Sequence, residues 1–283
     1  MELNFSKMHG LGNDFILIDD RKQEVEKVRR YNDLAIEMCN RNFGVGADGL
    51  IVVLNSDSHD IKYRIFNPDG TEPEMCGNGI RCYAKFVYDK KIINKKEFKV
   101  ETLAGTIIPK VNLGDDGLVD TVRVDMGEPK LNAKDIPFEC DNEQAISEPL
   151  EGDDYSVNVT TVSMGNPHAV IFIDDVRDAP VDTLGPKIEI HKRFPAKTNV
   201  EFIQVISKNE LDMRVWERGA GETLACGTGA CASLVAARLN NLSEDKVLIH
   251  LLGGDLEIEW DKDSNHVFKT GPAVIVFEGK YML

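Results

Sequence analysis

Two cysteines stand in the same short motif, Cys-Gly-x-Gly, at Cys76 and at Cys226. Around each of them, a short strand runs into a Gly-rich turn and then into a helical pattern. This predicts that each cysteine lies where a helix begins, beside free backbone N–H groups and the positive end of the helix dipole. Such a position can lower a cysteine pKa from ~8.5 into roughly 3.5–7.5. Each cysteine is therefore a candidate base or nucleophile.

The two cysteine motifs belong to a longer internal repeat. An offset of 150 residues lays Met213–Ala232 on Tyr63–Cys82 without a gap, and it places the later cysteine on the earlier one. Gly165-Asn166 matches Gly12-Asn13 at the similar offset of 153. Because these offsets are close to half of the 283 residues, the sequence predicts a duplicated unit. Two copies that face each other would bring both cysteines to one cleft.

Two thiols at facing helix starts suit the inversion of a carbon centre. One thiolate removes a proton from carbon while the other thiol delivers a proton to the opposite face, and coupling between them keeps the pair singly ionised. An amino-acid α-carbon is only weakly acidic. The helix-start amides of Gly77-Asn78 and Gly227-Thr228 are placed to hold its carboxylate as negative charge builds.

Other roles for the cysteines compete with this one. A lone cysteine at a helix start is more often structural, but two such cysteines in register across a duplication favour a function. The spacing of the cysteines disfavours a zinc site. The Cys-x-x-Cys pair of disulfide oxidoreductases is absent. The sequence therefore predicts no metal.

For several polar residues near these motifs, the sequence allows both a structural and a functional role. His168 is either a structural histidine or a group that tunes a thiol. The asparagines that follow the strands either cap turns or bind a ligand; they are Asn13, Asn67, Asn166 and Asn199. Glu217 and Arg218 stand between an apolar strand and a Gly-rich turn, and they suit an ammonium and a carboxylate group of a ligand. The alternative for these two is a surface ion pair.

The composition is that of an ordinary globular protein, with 42% hydrophobic and 29% charged residues. The formal charge of −15 argues against nucleic acid or an anionic membrane as a partner. The first residues do not form a secretory signal, and no apolar stretch approaches the length of a membrane span. Six cysteines in such a chain indicate free thiols in a reducing compartment, so we expect a cytoplasmic protein.

Hydrophobic periodicity predicts helices over 24–40, 79–91 and 181–192, with short strands and Gly-containing turns between them. The segment 128–156 lacks clear periodicity and is interpreted as the join between the halves. Strands outnumber helices in both halves. The expected fold class is α+β (mixed α/β), with two pseudo-symmetric lobes that each curl a mixed sheet or barrel around a central helix.

Four motifs resemble the diaminopimelate epimerase family across essentially the whole chain: KMHGLGNDF, NPDGTEPEMCGNGIRC, MGNPH and ERGAGETLACGTGACA. The resemblance implies an epimerase without pyridoxal phosphate or another cofactor, which interconverts L,L- and meso-2,6-diaminopimelate on the route to lysine and peptidoglycan. It also implies two lobes, residues 1–125 with a returning strand 272–283, and residues 126–271. The active site is expected in the cleft between them.

The resemblance also implies roles for individual residues. Cys76 matches the proton donor and Cys226 the proton acceptor, and the roles exchange in the reverse direction. The residues that match substrate contacts are Asn13, Asn67, Gly77, Asn78, Asn166, Asn199, Glu217, Arg218, Gly227 and Thr228. His168 and Glu217 match residues that tune the thiol pKa values. Gly49 stands where some members have a glutamine that contacts substrate, so we leave it out of the site.

Two other functions remain open. One is an amino-acid racemase of the same fold, of the proline or hydroxyproline type, although those enzymes usually carry histidine at the position of Asn78. The other is a non-catalytic binder of small molecules, which would not need thiols. The expected partner is a small-molecule substrate rather than nucleic acid or membrane. A homodimer is an open alternative to a monomer.

Overall fold

The computed structural model describes all 283 residues, Met1–Leu283, and divides into two compact units. Unit 1 contains Met1–Val124 together with Thr270–Leu283, and unit 2 contains Asp125–Lys269. Each helix is too short or too polar to cross a membrane.

The first part of unit 1 carries eight strands and three helices. They are β1 (Glu2–Gly10), β2 (Asn13–Asp19), α1 (Val25–Val28), α2 (Tyr31–Cys39), β3 (Gly49–Leu54), β4 (Ile61–Phe66), α3 (Gly79–Asp89), β5 (Val100–Thr102), β6 (Gly105–Ile107), β7 (Lys110–Leu113) and β8 (Val119–Asp125).

Unit 2 follows with short 3₁₀ helices at Ala133–Asp135 and Val176–Asp178 and with two α-helices among its strands. The elements are β9 (Glu148–Glu151), β10 (Ser156–Ser163), β11 (Pro167–Phe172), α4 (Val181–Glu189), β12 (Asn199–Ser207), β13 (Glu210–Glu217), β14 (Gly221–Glu222), α5 (Gly227–Leu239), β15 (Lys246–Leu251), β16 (Gly254–Trp260) and β17 (Val267–Pro272). The last strand, β18 (Val274–Met282), belongs to unit 1.

The two units repeat one pattern of strand pairing. In unit 1 the sheet order is β18-β1-β2-β3-β4-β5-β6, with parallel pairs β2/β3 and β4/β5. In unit 2 the run β10-β11-β12-β13-β15-β16 has the same order of parallel and antiparallel pairs as β1 to β6, with β11/β12 and β13/β15 parallel. The duplication and the mixed sheets are confirmed. The sheets are open and do not close into barrels. The sheet of unit 1 ends in the edge strands β18 and β6, and the other sheet ends in β7 and β9.

One helix is buried in each unit. In α5 every residue from Gly229 to Ala237 is buried, and most of these side chains are small, so strands of unit 2 approach the helix closely. In α3 the buried residues include Ile80, Tyr83 and Val87. The predicted central helices are therefore confirmed, and each carries a cysteine motif at its start.

The helix predicted over 24–40 is wrong in one respect, because two helices occupy this stretch. Arg29 takes an extended conformation between α1 and α2, so the helical hydrogen-bond ladder stops there. The break allows Tyr31 to reach inward, where its hydroxyl donates to Asp20 at 2.5 Å. Asp20 also accepts hydrogen bonds from the backbone N–H groups that open α1. This local capping competes with a continuous helix.

Candidate active site

Cys226 is the N-cap residue of α5. Its backbone is extended (φ −111°, ψ 108°), and its sulfur accepts a hydrogen bond from the Gly229 N–H group at 3.3 Å. Its carbonyl oxygen accepts from the Ala230 N–H group at 3.0 Å. The predicted helix start is confirmed here, and the thiol itself satisfies one of the free amides of the first turn.

Cys76 makes the same two bonds at the start of α3. Its sulfur accepts from the Gly79 N–H group at 3.5 Å, and its carbonyl oxygen accepts from the Ile80 N–H group at 2.9 Å. Asn78 between them already has a helical backbone (φ −82°, ψ −39°). Both cysteines therefore cap a first turn through the sulfur atom.

Glycine is required at the third position after each cysteine. A Cβ atom on Gly229 would lie 2.7 Å from Glu201 Oε1 and 3.0 Å from Met213 Cε. A Cβ atom on Gly79 would lie 2.8 Å from the Tyr63 hydroxyl oxygen and 3.1 Å from Ile51 Cδ1. The repeat offset of 150 relates Glu201 to Ile51 and Met213 to Tyr63. Side chains at equivalent positions therefore lie close to the glycine in both units, although the residue types differ.

The expected lowering of the cysteine pKa is wrong for Cys226. Its thiol is only 4% exposed, and burial raises its pKa well above the ordinary value. The negative charges of Glu217 and Glu201 raise the pKa further, while hydrogen bonds from Thr228 and Gly229 lower it. Desolvation outweighs the helix start because the sulfur lies inside the unit rather than at its surface.

Asn13, Cys76 and Asn78 come together in unit 1. The Cys76 sulfur lies 3.8 Å from Asn13 Oδ1, and Asn78 Nδ2 lies 3.4 Å from the same oxygen. Asn13 Nδ2 donates to the Asp48 carboxylate at 2.8 Å, which fixes the amide with its oxygen toward the thiol. Sequence reasoning missed Asp48.

Asp48 belongs to a charged network beside this site. Arg41 Nη2 lies 2.7 Å from Asp48 Oδ1 and 2.7 Å from Asp14 Oδ1. Burial alone would raise the pKa of Asp14, but hydrogen bonds from Arg41 and Lys7 lower it to about 2. Asp14 therefore stays ionised at neutral pH, and its bonds to Arg41 and Lys7 hold the backbone next to Asn13.

A second chain of polar contacts leads to Cys226 in unit 2. Thr228 Oγ1 lies 3.6 Å from the Cys226 sulfur, and Asn166 Nδ2 lies 3.3 Å from Thr228 Oγ1. His168 Nε2 lies 3.0 Å from Asn166 Oδ1, and His168 Nδ1 lies 2.6 Å from Glu201 Oε1. Three predicted residues thus meet at Cys226. Sequence reasoning missed Glu201, although a carboxylate within the apolar strand Val200–Ile203 was a usable signal.

The remaining predicted residues lie at strand ends. Asn199 Oδ1 accepts from the backbone N–H of Arg218 at 2.9 Å, and Asn199 Nδ2 donates to the Pro167 carbonyl at 2.9 Å. The Arg218 side chain is exposed and donates to the Ala196 carbonyl, while the Glu217 carboxylate is half-buried. The alternative role for these two residues, a surface ion pair with each other, is not found, because Glu217 and Arg218 do not pair in the structure.

Asn67 and Gly77 occupy turns of unit 1. Asn67 follows β4, and its Nδ2 donates to Thr71 Oγ1 at 2.9 Å within the same turn. The Gly77 carbonyl accepts a hydrogen bond from Arg81 Nη1 at 3.4 Å. Gly49 lies in β3 opposite Phe15 and carries no side chain to contact a ligand.

Gly227 and Lys269 meet beneath the start of α5. Lys269 is 1% exposed, and its ammonium group fills the space that a side chain at position 227 would need. The first-turn amides of α5 also present the positive end of the helix dipole. These amides could hold an anionic group. No cluster of three His, Cys, Asp or Glu side chains could hold a metal ion.

We expect the substitution Glu217→Gln to lower the pKa of Cys226, because it removes a neighbouring negative charge that disfavours the thiolate. Alkylation of Cys226 by iodoacetamide at pH 8 should then become roughly three- to tenfold faster. Peptide mass spectrometry measures this rate for each cysteine. The control is Glu222→Gln, since Glu222 pairs with Arg214 at 2.7 Å instead. Equal rates for Cys226 in Glu217→Gln and in the wild type would contradict the assigned cause.

Comparison with solved structures identifies the fold. A phenazine biosynthesis protein of the PhzF family from Bacillus anthracis matches with a TM-score of 0.71 at 17% identity, over 100% of both chains. A hydroxyproline epimerase from Agrobacterium vitis matches with a TM-score of 0.65 at 15% identity, over 100% of this chain and 93% of the other. At these identities the likeness concerns the fold alone, and it is the two-lobed, sheet-rich fold expected from the sequence.

Sequence comparison is more specific. The chain is 57% identical over 280 residues to a diaminopimelate epimerase from Desulforapulum autotrophicum, which covers 99% of each chain. It is 51% identical over 281 residues to a diaminopimelate epimerase from Heliobacterium modesticaldum, which covers 99% of this chain and 100% of the other. The family model described as diaminopimelate epimerase matches residues 5–132 and 160–276. The chain therefore belongs to the diaminopimelate epimerase family.

Proposed function

We propose that this protein is a cofactor-independent epimerase that interconverts L,L- and meso-2,6-diaminopimelate in the biosynthesis of lysine and peptidoglycan precursors. The observation that carries the proposal is the pair of cysteines that cap equivalent helix starts in the two units. Membership of the family supplies the substrate.

The reaction needs one thiolate and one thiol. The Cys226 thiolate takes the α-proton and becomes a thiol, and the electron pair left on carbon spreads into the substrate carboxylate. The same carbon then takes the proton of the Cys76 thiol on its opposite face, which leaves Cys76 as a thiolate. The reverse reaction exchanges the two roles. This scheme requires both sulfur atoms to reach one α-carbon.

The local hydrogen bonds suit these roles. Asn13 Oδ1 lies 3.8 Å from the Cys76 sulfur and can accept the hydrogen of its thiol. Thr228 and the Gly229 N–H group lie near the Cys226 sulfur and can donate, which favours the thiolate acceptor. Because burial raises the pKa of Cys226, its thiolate is a strong base once it forms.

We assign the substrate contacts by the charge each group can offer. The reacting carboxylate would be held by first-turn amides, which are Gly77, Asn78, Gly227 and Thr228. At the far end of the substrate, Glu217 would pair with the ammonium group and Arg218 with the carboxylate. The side-chain amides of Asn13, Asn67, Asn166 and Asn199 would bind the polar groups between these ends. His168 and Glu217 would tune the thiols.

We expect Cys76→Ser and Cys226→Ser each to lower kcat by roughly 10²- to 10⁴-fold or more, because a hydroxyl is a far weaker acid and its anion is inaccessible near neutral pH. Chiral chromatography of diaminopimelate stereoisomers measures the turnover. Cys140→Ser is the matched control, since the Cys140 thiol only donates to the Asn142 carbonyl at 3.1 Å. Wild-type turnover in either active-site variant would refute the two-thiol assignment.

We also propose a homodimer built on β18. This strand ends the sheet of unit 1, and its apolar side chains Val276, Phe277 and Met282 are 56%, 47% and 67% exposed. A long edge strand with exposed apolar groups pairs readily with a second copy, which would continue the sheet. Sedimentation equilibrium should give twice 31.5 kDa, and Val276→Lys should give a monomer. A monomeric wild type would contradict this.

We place the enzyme in the cytoplasm. All six cysteines are free, which suits a reducing compartment, and a thiol-based mechanism needs that state. Fractionation of the source cells followed by immunoblotting tests the location, and recovery outside the cytoplasmic fraction would contradict it.

A further inference from the structure

A buried polar pair lies beneath Cys226 and has no counterpart beneath Cys76. His168 and Glu201 are both 0% exposed. The repeat offsets relate them to Phe15 and Ile51, which occupy matching positions on the parallel strands β2 and β3. Because apolar residues fill these positions in unit 1, packing alone does not call for a carboxyl and an imidazole. A buried polar pair is costly unless its hydrogen bonds are used.

The hydrogens of this pair can be assigned from its partners. His168 Nε2 faces Asn166 Oδ1 at 3.0 Å, and His168 Nδ1 faces Glu201 Oε1 at 2.6 Å. An amide oxygen only accepts, so Nε2 must carry a hydrogen. This holds for an imidazolium beside a carboxylate and equally for a neutral imidazole beside a protonated carboxyl. Both forms contain one shared proton and are neutral overall.

Burial disfavours a net charge on this pair. Desolvation raises the pKa of Glu201, while His168 lowers it. Loss of the shared proton would leave a buried carboxylate with a neutral imidazole, and Glu201 Oε2 has no hydrogen-bond partner to stabilise such a charge.

The hydrogen on Nε2 fixes the direction of every later bond. With its oxygen toward His168, Asn166 presents its NH₂ group to Thr228 Oγ1 at 3.3 Å. Thr228 Oγ1 accepts this bond, so its own hydrogen is available to the Cys226 sulfur 3.6 Å away. If Nε2 lacked a hydrogen, Asn166 would turn over and Thr228 would donate to its oxygen instead of to sulfur.

The related asparagine in unit 1 is held the other way round. Asn13 donates its NH₂ group to Asp48 at 2.8 Å, so its oxygen faces Cys76. Among the side chains, an acceptor therefore faces Cys76, while a chain of donors ends at Cys226. Two different acidic residues thus set opposite hydrogen-bond polarity at two equivalent thiols.

We propose that Glu201 is a positioning residue of the reaction: through His168 and Asn166, it directs the Thr228 hydroxyl hydrogen to the Cys226 thiolate. This rests on the proposed function of Cys226 as a base. Glu201 does not touch the substrate, and its carboxyl acts through the hydrogen on His168 Nε2. The asymmetry between the thiols then comes from side chains beneath them rather than from the helix starts.

The test compares Glu201→Gln with Glu201→Met. The Gln amide can donate to Nδ1 of a neutral imidazole and keep the hydrogen on Nε2, so kcat should stay within about threefold. Met cannot make this bond, and kcat should fall about 10- to 100-fold, the range that one hydrogen bond to a charged group contributes. KM should change little in both. Ile51→Met is the packing control and should leave kcat within about twofold.

A double-mutant cycle checks the route. Thr228→Val should lower kcat as much as Glu201→Met does, and the double variant should lose little more than either single one, because both break the same chain. Additive losses would overturn the proposal. Equal losses in Glu201→Gln and Glu201→Met would overturn it too, since they would assign the effect to charge rather than to hydrogen position.

Nitrogen-15 NMR of histidine-labelled protein tests the proposal without any substrate. His168 Nε2 should show a bound hydrogen in the wild type and in Glu201→Gln, and this signature should weaken in Glu201→Met. The His168→Gln spectrum assigns the signal. A wild-type Nε2 without hydrogen would overturn the proposal even if Glu201→Met does not fold. Inactive wild type with the expected NMR signature would instead reject the epimerase assignment and leave the hydrogen-bond chain standing.

Discussion

The bond from a first-turn N–H group to a cysteine sulfur recurs in both units, and much of the surrounding structure serves it. It needs glycine three residues after each cysteine, because Tyr63 and Met213 press against Gly79 and Gly229. It also needs a helix that is buried along its length, so that the sulfur is held at a fixed depth. α3 and α5 meet this need, and each is packed by the strands of its own unit.

Burial has the opposite effect on the Cys226 pKa from this hydrogen bond. It raises the pKa of Cys226 well above the ordinary value, and nearby carboxyl groups add to the effect. The Cys226 thiolate is then favoured by hydrogen-bond donors beside the sulfur and disfavoured by negative charge nearby. In the proposed arrangement, Glu201 and His168 direct the Thr228 hydroxyl hydrogen toward the Cys226 sulfur. The duplicated scaffold thus surrounds its two thiols with different side-chain hydrogen-bond partners.

The duplication and the two helix starts were predictable from sequence, because short sequence motifs mark them. A gap-free repeat and the Cys-Gly-x-Gly motifs predicted the duplication and both helix starts. The resemblance to a known family, rather than the repeat, pointed to Asn13, Asn166 and His168 near the thiols. The break between α1 and α2 was missed because it depends on Asp20, which lies outside the helical pattern. The pKa of Cys226 was mispredicted because burial is a property of the folded unit. Glu201 and Lys269 lie on the strands β12 and β17, and no motif spacing relates them to Cys226. The one sequence signal was the carboxylate of Glu201 within an apolar strand.

The most direct test of the two-thiol account is proton NMR of L,L-diaminopimelate in deuterated water with the reduced enzyme and no added cofactor. The account predicts that the meso product carries deuterium at one α-carbon from the first turnovers, while the remaining substrate keeps its α-proton, since separate groups remove and deliver the proton. Early deuterium in recovered substrate at the same rate as in product would contradict it, because a single exchanging base gives that result. Exchange with proline or hydroxyproline alone would move the protein to the racemase function.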